Sequence, residues 1–229
     1  MSGKEARIRR LIDTISAYLQ ANVAANPGAE AVLRRLADTD FSTQTFADLP
    51  PQQSRHHAVV RTGIANIPGA GPLSELAEAL DAAADDLSWR EDDMRYYPPG
   101  ADLGEGYTGC NVHTLLIGPG ACGFHHPDFT LGLFALGPRT LYRDHRHEAS
   151  ETYINLTPRT GWRIAGGAWE DRAAGSIIFN PSKVVHATRV YEQPFLSVFS
   201  WLGNINGQCS VVPADDWPEI EAGLKGAGP

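Results

Sequence analysis

Cysteine is scarce, and what there is does not pair. Cys110, Cys122 and Cys209 are odd in number, widely spaced and without a CxxC pair, so no disulfide framework is expected and a reducing cytoplasm is the default compartment. Positive charge is also short: 19 Lys and Arg against 27 Asp and Glu give a formal net charge of −8, which argues against nucleic acid or an anionic membrane as the main partner, since either requires a basic surface. No apolar run approaches the length of a bilayer span, and the opening MSGKEARIRRLIDTISAYLQ lacks the uninterrupted apolar core of a secretory signal. A Gly-rich phosphate cradle, an internal repeat and a low-complexity linker are all missing. What remains is a chain of 229 residues, 42% hydrophobic, enough for one large domain or a domain with an appendage.

The two parts of the chain have different textures. Ile8, Leu11, Ile12, Ile15, Tyr18 and Leu19 recur at spacings of three and four, the mark of an amphipathic helix. Val32, Leu33 and Leu36 continue the pattern weakly after Pro27-Gly28, and Leu73, Leu76, Ala77, Leu80, Ala84 and Leu87 renew it after Gly71-Pro72. Such stripes face a core, so residues 1–100 read as a helical segment with no chemistry assigned to it. From about Arg95, Pro and Gly become frequent and short apolar runs, Thr114–Ile117, Thr130–Leu136, Ser176–Phe179 and Phe195–Trp201, alternate with turn residues. That is the pattern of a small β-barrel or sandwich over residues 101–229, with a frayed tail expected after Trp217.

Chemistry concentrates in Tyr142-Arg-Asp-His145-Arg-His147-Glu-Ala-Ser-Glu151-Thr-Tyr153 and in a lone His186 behind Pro181. Residues two apart on a strand share a face, so His145 and His147 can point together into a barrel, a short turn can bring Glu151 back to them, and Tyr153 shares the face of Glu151. Three imidazoles and a carboxylate suit one divalent transition ion, and Zn, Fe, Mn and Ni all accept such a set. Solvent-facing strand positions would alternate too, but here the ligand types recur together with Gly and Pro punctuation.

These segments resemble the paired motifs of the cupin superfamily. Gly137, His145-x-His147, Glu151 and Gly161 follow the first motif with longer glycine spacers. Gly175, Pro181 and His186 follow the second, with Lys183 where a Gly and Val190 where an Asn usually stands. The resemblance implies a mainly β fold, a single cupin β-barrel preceded by an α-helical segment. Within the superfamily the chain is most similar to the bacterial cupin-type dimethylsulfoniopropionate lyases, whose signature has a Tyr before HxH and another two residues after the Glu; Tyr142 and Tyr153 occupy those places. That likeness implies cleavage of the sulfonium acid to dimethyl sulfide and acrylate by β-elimination. Metal ligands would be His145, His147, Glu151 and His186, the catalytic residues Tyr153 and Tyr142, and the substrate-binding aromatic Trp201.

The chemistry is coherent with those residues. A metal that takes the substrate carboxylate makes the adjacent carbon more acidic. A phenol, which titrates near 10 in water, becomes a usable base beside a divalent cation. The sulfonium group offers no hydrogen-bond donor and is best held by aromatic faces, with Trp201 first and Trp162, Phe179 and Tyr191 as further walls. Asp144 and Arg146 alternate with the ligands and should face away; Arg143, Arg163 and Lys183 are candidates to steady a carboxylate, and spacing does not choose among them. His56-His57 and His125-His126 read as adjacent strand residues on opposite faces, and His113 as structural. Competing expectations are another cupin enzyme, a dioxygenase or isomerase of a small acid, and a non-enzymatic cupin binding a small ligand. A homodimer through exposed sheet edges is the expected assembly if there is one.

Overall fold

The computed structural model describes residues 1–42 and 44–226. The chain opens with α1 (Gly3–Ala21), α2 (Pro27–Ala37), α3 (His57–Ala65) and α4 (Ser74–Ala83), followed by the short α5 (Glu105–Gly109). Local signals start the first two. Ser2 caps α1 through its hydroxyl on Glu5 N, and Asn26 caps α2, accepting from Gly28 and Ala29 N ahead of the favourable Pro at the first turn. The apolar stripes of α1, α2 and α4 are buried as their spacing predicts. Helix α3 escapes the periodicity because it is short, uncapped by a side chain and carries a Gly where it packs. A Cβ at Gly63 would lie 3.0 Å from Leu196 Cβ. His56 and His57 open this helix rather than lying on a strand, and His125 and His126 lie in the loop between the first two strands.

Ten strands follow: β1 (Asn111–Ile117), β2 (Phe129–Leu136), β3 (Leu141–Arg146), β4 (Ser150–Asn155), β5 (Arg159–Ile164), β6 (Glu170–Ala173), β7 (Ile177–Asn180), β8 (His186–Val190), β9 (Phe195–Leu202) and β10 (Ser210–Val211). They form two antiparallel five-stranded sheets, β1-β2-β9-β4-β7 and β10-β3-β8-β5-β6. The order from β2 to β9 is that of two interlocked Greek keys, the double-sheet jelly roll of the cupins. Up to Gly226 the tail is ordered rather than frayed: Trp217–Gly226 forms helix α6, which buries Trp217 and Leu224 against β3, and the rest of the expected frayed tail, residues 227–229, lies outside the described residues. Among the described residues no helix is long and apolar enough to cross a membrane.

The first sheet is buried on both faces. Along β9, Phe195, Phe199 and Trp201 enter the barrel while Leu196 and Val198 meet the N-terminal helices. Strand β2 divides in the same way, with Phe134 and Leu136 inside and Leu131, Leu133 and Ala135 outside. Helix α2 approaches so closely that a Cβ at Gly28 would lie 2.5 Å from Thr152 Oγ1 and 2.7 Å from the Phe179 ring. Continuous rather than alternating apolar runs in the sequence have this cause. Phe179 therefore faces the helices, not the barrel interior.

Candidate active site

Each sheet brings its own half of the site. From the second sheet, His145 on β3 and His186 on β8 are direct cross-strand partners. His147 follows in the hairpin leading to β4. From the first sheet, β4 contributes Glu151 and Tyr153, with Trp201 opposite Glu151 on β9. Ligand atoms of His145, His147 and His186 all lie within 4.8 Å of one another, and all three residues are buried. Glu151 Oε2 is 3.3 Å from His147 Nε2 and 3.1 Å from His186 Nε2.

The imidazole tautomers are set by the backbone. Nδ1 of His145 lies 2.8 Å from Arg143 O, Nδ1 of His147 2.9 Å from Ala149 O, and Nδ1 of His186 3.0 Å from Val184 O. A carbonyl only accepts, so each Nδ1 carries the proton and turns its Nε2 to the interior, where that of His147 meets Glu151 Oε2 at 3.3 Å. Although His186 Nε2 is near Glu151, it is not aligned for a hydrogen bond and is left as a buried nitrogen without a partner. Three oriented nitrogen donors, one of them orphaned, and an adjacent carboxylate oxygen fit a divalent transition ion, and the backbone carbonyls supply the outer support such a ligand set needs. The set does not discriminate among Zn, Fe, Mn and Ni.

Electrostatics agree with a charge-seeking pocket. Burial, then the other two imidazoles, push His145 well below the ordinary histidine value. Burial opposes charge on Glu151 and His147 alike, but their mutual attraction wins; Glu151 is held well below the carboxylate range and His147 is raised. The Tyr153 phenol is driven well above 10, by burial first and the negative charge of Glu151 second.

Next to this cluster is a cavity of about 100 Å³, lined among others by Glu151, Tyr153, Trp201, Phe134, Phe199 and Tyr96. On its outer side lies a larger cavity of about 610 Å³ that shares Asp92, Arg95, Tyr96, His113 and Leu115 with it. Tyr96, which lines both, packs edge-on against Trp201 with ring centroids 5.5 Å apart.

A family model for dimethylsulfoniopropionate lyases matches residues 15–197 of this chain. The chain belongs to the dimethylsulfoniopropionate lyase family. With that it takes its place among carbon–sulfur lyases. Dimethylsulfoniopropionate lyase DddQ of Ruegeria pomeroyi is 29% identical over 147 residues, 64% of this chain and 68% of that protein. The crystal structure of DddQ from Ruegeria pomeroyi DSS-3 matches with a TM-score of 0.64 at 21% identity, covering 91% of this chain and 97% of that one. A chain from the crystal structures of the lyases RdDddP and RnDddQII matches with a TM-score of 0.68 at 20% identity, covering 92% of this chain and all of the other. At these identities the two structures speak for a shared fold.

In this lyase-family chain, the residues singled out by sequence do not all meet. His145, His147, His186, Glu151, Tyr153, Tyr142 and Trp201 come together. Tyr142 and His145 are three apart, which on a regular strand would put them on opposite faces. A bulge in β3 corrects this, since three steps from Tyr142 to His145 are matched by two from Thr188 to His186. The Tyr142 ring consequently stacks on His145 at 3.9 Å. Trp201 does more than form a wall: its Nε1 donates to Glu151 Oε1 at 2.6 Å, and its ring lies 4.6 Å from that of His147.

The other suggested walls and cations lie elsewhere. Trp162 is a core residue beside Tyr153, at 5.0 Å between ring centroids, and Tyr191 donates to Asp171 on the outer surface. Arg163 pairs with Asp144 and Asp216, Arg143 with Asp102 and Glu221, and Lys183 with Glu148. Asp144 indeed faces away from the cluster, buried against Arg163 and accepting from Trp217 Nε1. Lys183 keeps the turn that a motif glycine would make. Its φ is +66°, and its N–H donates to His147 O, tying the loop before His186 to the hairpin of His147.

Several site residues escaped the sequence reading. Tyr96 and Tyr97 belong to residues 1–100, which carry no assigned chemistry, and Tyr107 to the start of the barrel span, yet Tyr97 Oη lies 2.8 Å from Tyr142 Oη and Tyr107 stacks on Tyr142 at 4.2 Å. An aromatic pair before Pro98-Pro99, in a segment of no helical or strand period, was the available signal. His113, read as structural, borders both cavities. Asn180 was missed entirely.

Proposed function

We propose that this protein cleaves dimethylsulfoniopropionate to dimethyl sulfide and acrylate by β-elimination, with Tyr153 as general base and the substrate carboxylate directed to the centre of His145, His147, His186 and Glu151. The observation that carries the reading is the convergence of three backbone-oriented imidazoles and Glu151 beside a buried phenol, in a chain of this family.

His145, His147, His186 and Glu151 would hold a divalent ion, which would supply the positive charge that both the substrate carboxylate and a phenolate need. That need is acute for Tyr153, because burial and Glu151 otherwise hold it in its phenol form. As phenolate, Tyr153 takes the proton from the carbon next to the carboxylate. The C–H electron pair becomes the second carbon–carbon bond while the bond to sulfur breaks, and sulfur leaves with its bonding pair as neutral dimethyl sulfide. Tyr142 is held by Tyr97 and fixed on His145, which suits it to orienting the acid rather than to taking the proton. The sulfonium fits among the faces of Trp201, Tyr96 and Phe199, none of which competes for a hydrogen bond. The inner cavity is small and largely apolar-lined, so the acid is desolvated as it enters, which strengthens each of these contacts.

Gas chromatography of the headspace over purified, metal-loaded protein with dimethylsulfoniopropionate tests the proposal. Dimethyl sulfide that disappears on chelation and returns with metal is the expected result, and none from the loaded protein contradicts it.

A further inference from the structure

Glu151 is flanked in register on both sides. Its cross-strand partner on β9 is Trp201 and on β7 is Asn180, so three side chains stand in a row on one face of the sheet. Each neighbour holds a different carboxylate oxygen. Trp201 Nε1 donates to Oε1 at 2.6 Å, and Asn180 Nδ2 donates to Oε2 at 3.1 Å. Oε2 is also the oxygen that faces His147 and His186.

Asn180 is fully buried, and its Oδ1 has no hydrogen-bond partner. Rotating the amide by half a turn would not remedy this, because Oδ1 would then face a carboxylate oxygen, acceptor against acceptor. A buried amide oxygen without a donor is costly and uncommon in a native interior. The Nδ2 of the same amide is bonded to the oxygen that meets the imidazoles, so this amide stands beside the ligand cluster.

We propose that Asn180 is a positioning residue of the metal centre: with Trp201 it clamps Glu151 so that Oε2 alone is offered to the ion, and its own carbonyl accepts a hydrogen bond from water held there. Clamping both oxygens makes Glu151 a one-oxygen ligand, leaving room beside the three nitrogens for a substrate carboxylate. The ligand set itself would be incomplete without this support, since a carboxylate free to rotate could offer either oxygen or both. The inference rests on the reading of His145, His147, His186 and Glu151 as ligands and not on the identity of the substrate.

Cobalt titration tests it without substrate. The apo-protein is titrated with Co²⁺ in competition with a chelator, and the visible ligand-field spectrum and the melting temperature of the metal-free form are recorded for the wild type, Asn180→Leu and the smaller Asn180→Ala. Loss of a partner of this kind weakens metal binding about 10–100-fold. The expected result is that weakening in both variants with a shifted cobalt spectrum, while the metal-free Asn180→Leu, which loses the Nδ2 donor and the orphan oxygen together, melts near the wild type. An unchanged affinity and spectrum would overturn the proposal, as would a loss of affinity seen only in step with a lower apo melting temperature. A wild type that binds no Co²⁺ would overturn the metal-centre reading and this proposal together, whereas cobalt binding without lyase activity would leave the proposal standing and remove only the substrate.

Discussion

The two cores of this protein share a sheet but not a chemistry. Outside, the helices press Ile8, Leu11, Ile15, Leu76 and Leu80 onto Leu131, Leu133, Leu196 and Val198, an assembly of aliphatic side chains with hardly a titratable group. Inside, the same strands present Tyr153, Phe195, Phe134 and Trp201, with Tyr97, Tyr107 and Tyr142 opposite and three histidines and a glutamate at one end. Successive residues of β9 thus serve opposite purposes. A fold with one aliphatic interface to stabilise it can spend the other on buried polar groups that cost stability until a ligand meets them.

The sharpest way to break this contrast is to exchange the effects. Tyr153→Phe should lower lyase turnover about 10²–10⁴-fold, the usual worth of a positioned base, while metal content by elemental analysis and melting temperature stay near wild type; full turnover would remove Tyr153 from the role. Leu196→Ala, on the outer face of the next strand, should cost about 2–5 kcal/mol in chemical denaturation and leave turnover per folded molecule unchanged. A large loss of turnover at unchanged stability would instead mean that the outer core tunes the site.

Acid should act on the inner core alone. His145 is held well below its unfolded value, so between that value of about 6.5 and its lower folded value the unfolded chain binds a proton that the native protein does not. Metal-free stability should therefore fall as pH drops below about 6.5, by up to about 1.4 kcal/mol per pH unit. Glu151, held low, adds a second loss below about 4.3. His147 is raised, so its contribution is already complete in acid and is lost only as pH climbs past its folded value. Denaturation of the metal-free protein across pH 4–7 reads this directly, and a flat profile would contradict it.

Tyr97→Phe removes the partner of Tyr142 and should reduce turnover about fivefold, corresponding to about 1 kcal/mol for one buried hydrogen bond, without displacing metal. The smallest effect belongs to Lys183→Gly. Relief of a left-handed lysine should offset the added chain entropy and the lost exposed pair with Glu148, leaving stability within about 1 kcal/mol and turnover unchanged.

What could be read in the sequence was whatever is local. The stripes of α1 and α4, the β texture after residue 100 and the spacing of His145, His147 and Glu151 depend on near neighbours and on the two periods of helix and strand. Whatever depends on register was hidden. Asn180 and Trp201 sit 29 and 50 residues from Glu151 and become its neighbours only through pairing of β7 and β9 with β4. Tyr142 needed a bulge that no spacing rule announces. Phe179 and Tyr191 carried the right chemistry for a sulfonium wall but lie outside the barrel, and Trp162 faces the interior yet packs on Tyr153 without lining the cavity. Tyr96 and Tyr97 were overlooked because a loop without period gives a pattern argument nothing to hold.

Elimination beside a metal-bound carboxylate is the core of this account, and substrate deuterated at the carbon next to the carboxylate tests it most directly. Metal-loaded protein should release dimethyl sulfide and acrylate in equal amounts, more slowly from the deuterated than from the ordinary substrate. Release of 3-hydroxypropionate in place of acrylate, or no sulfide at all, would contradict it.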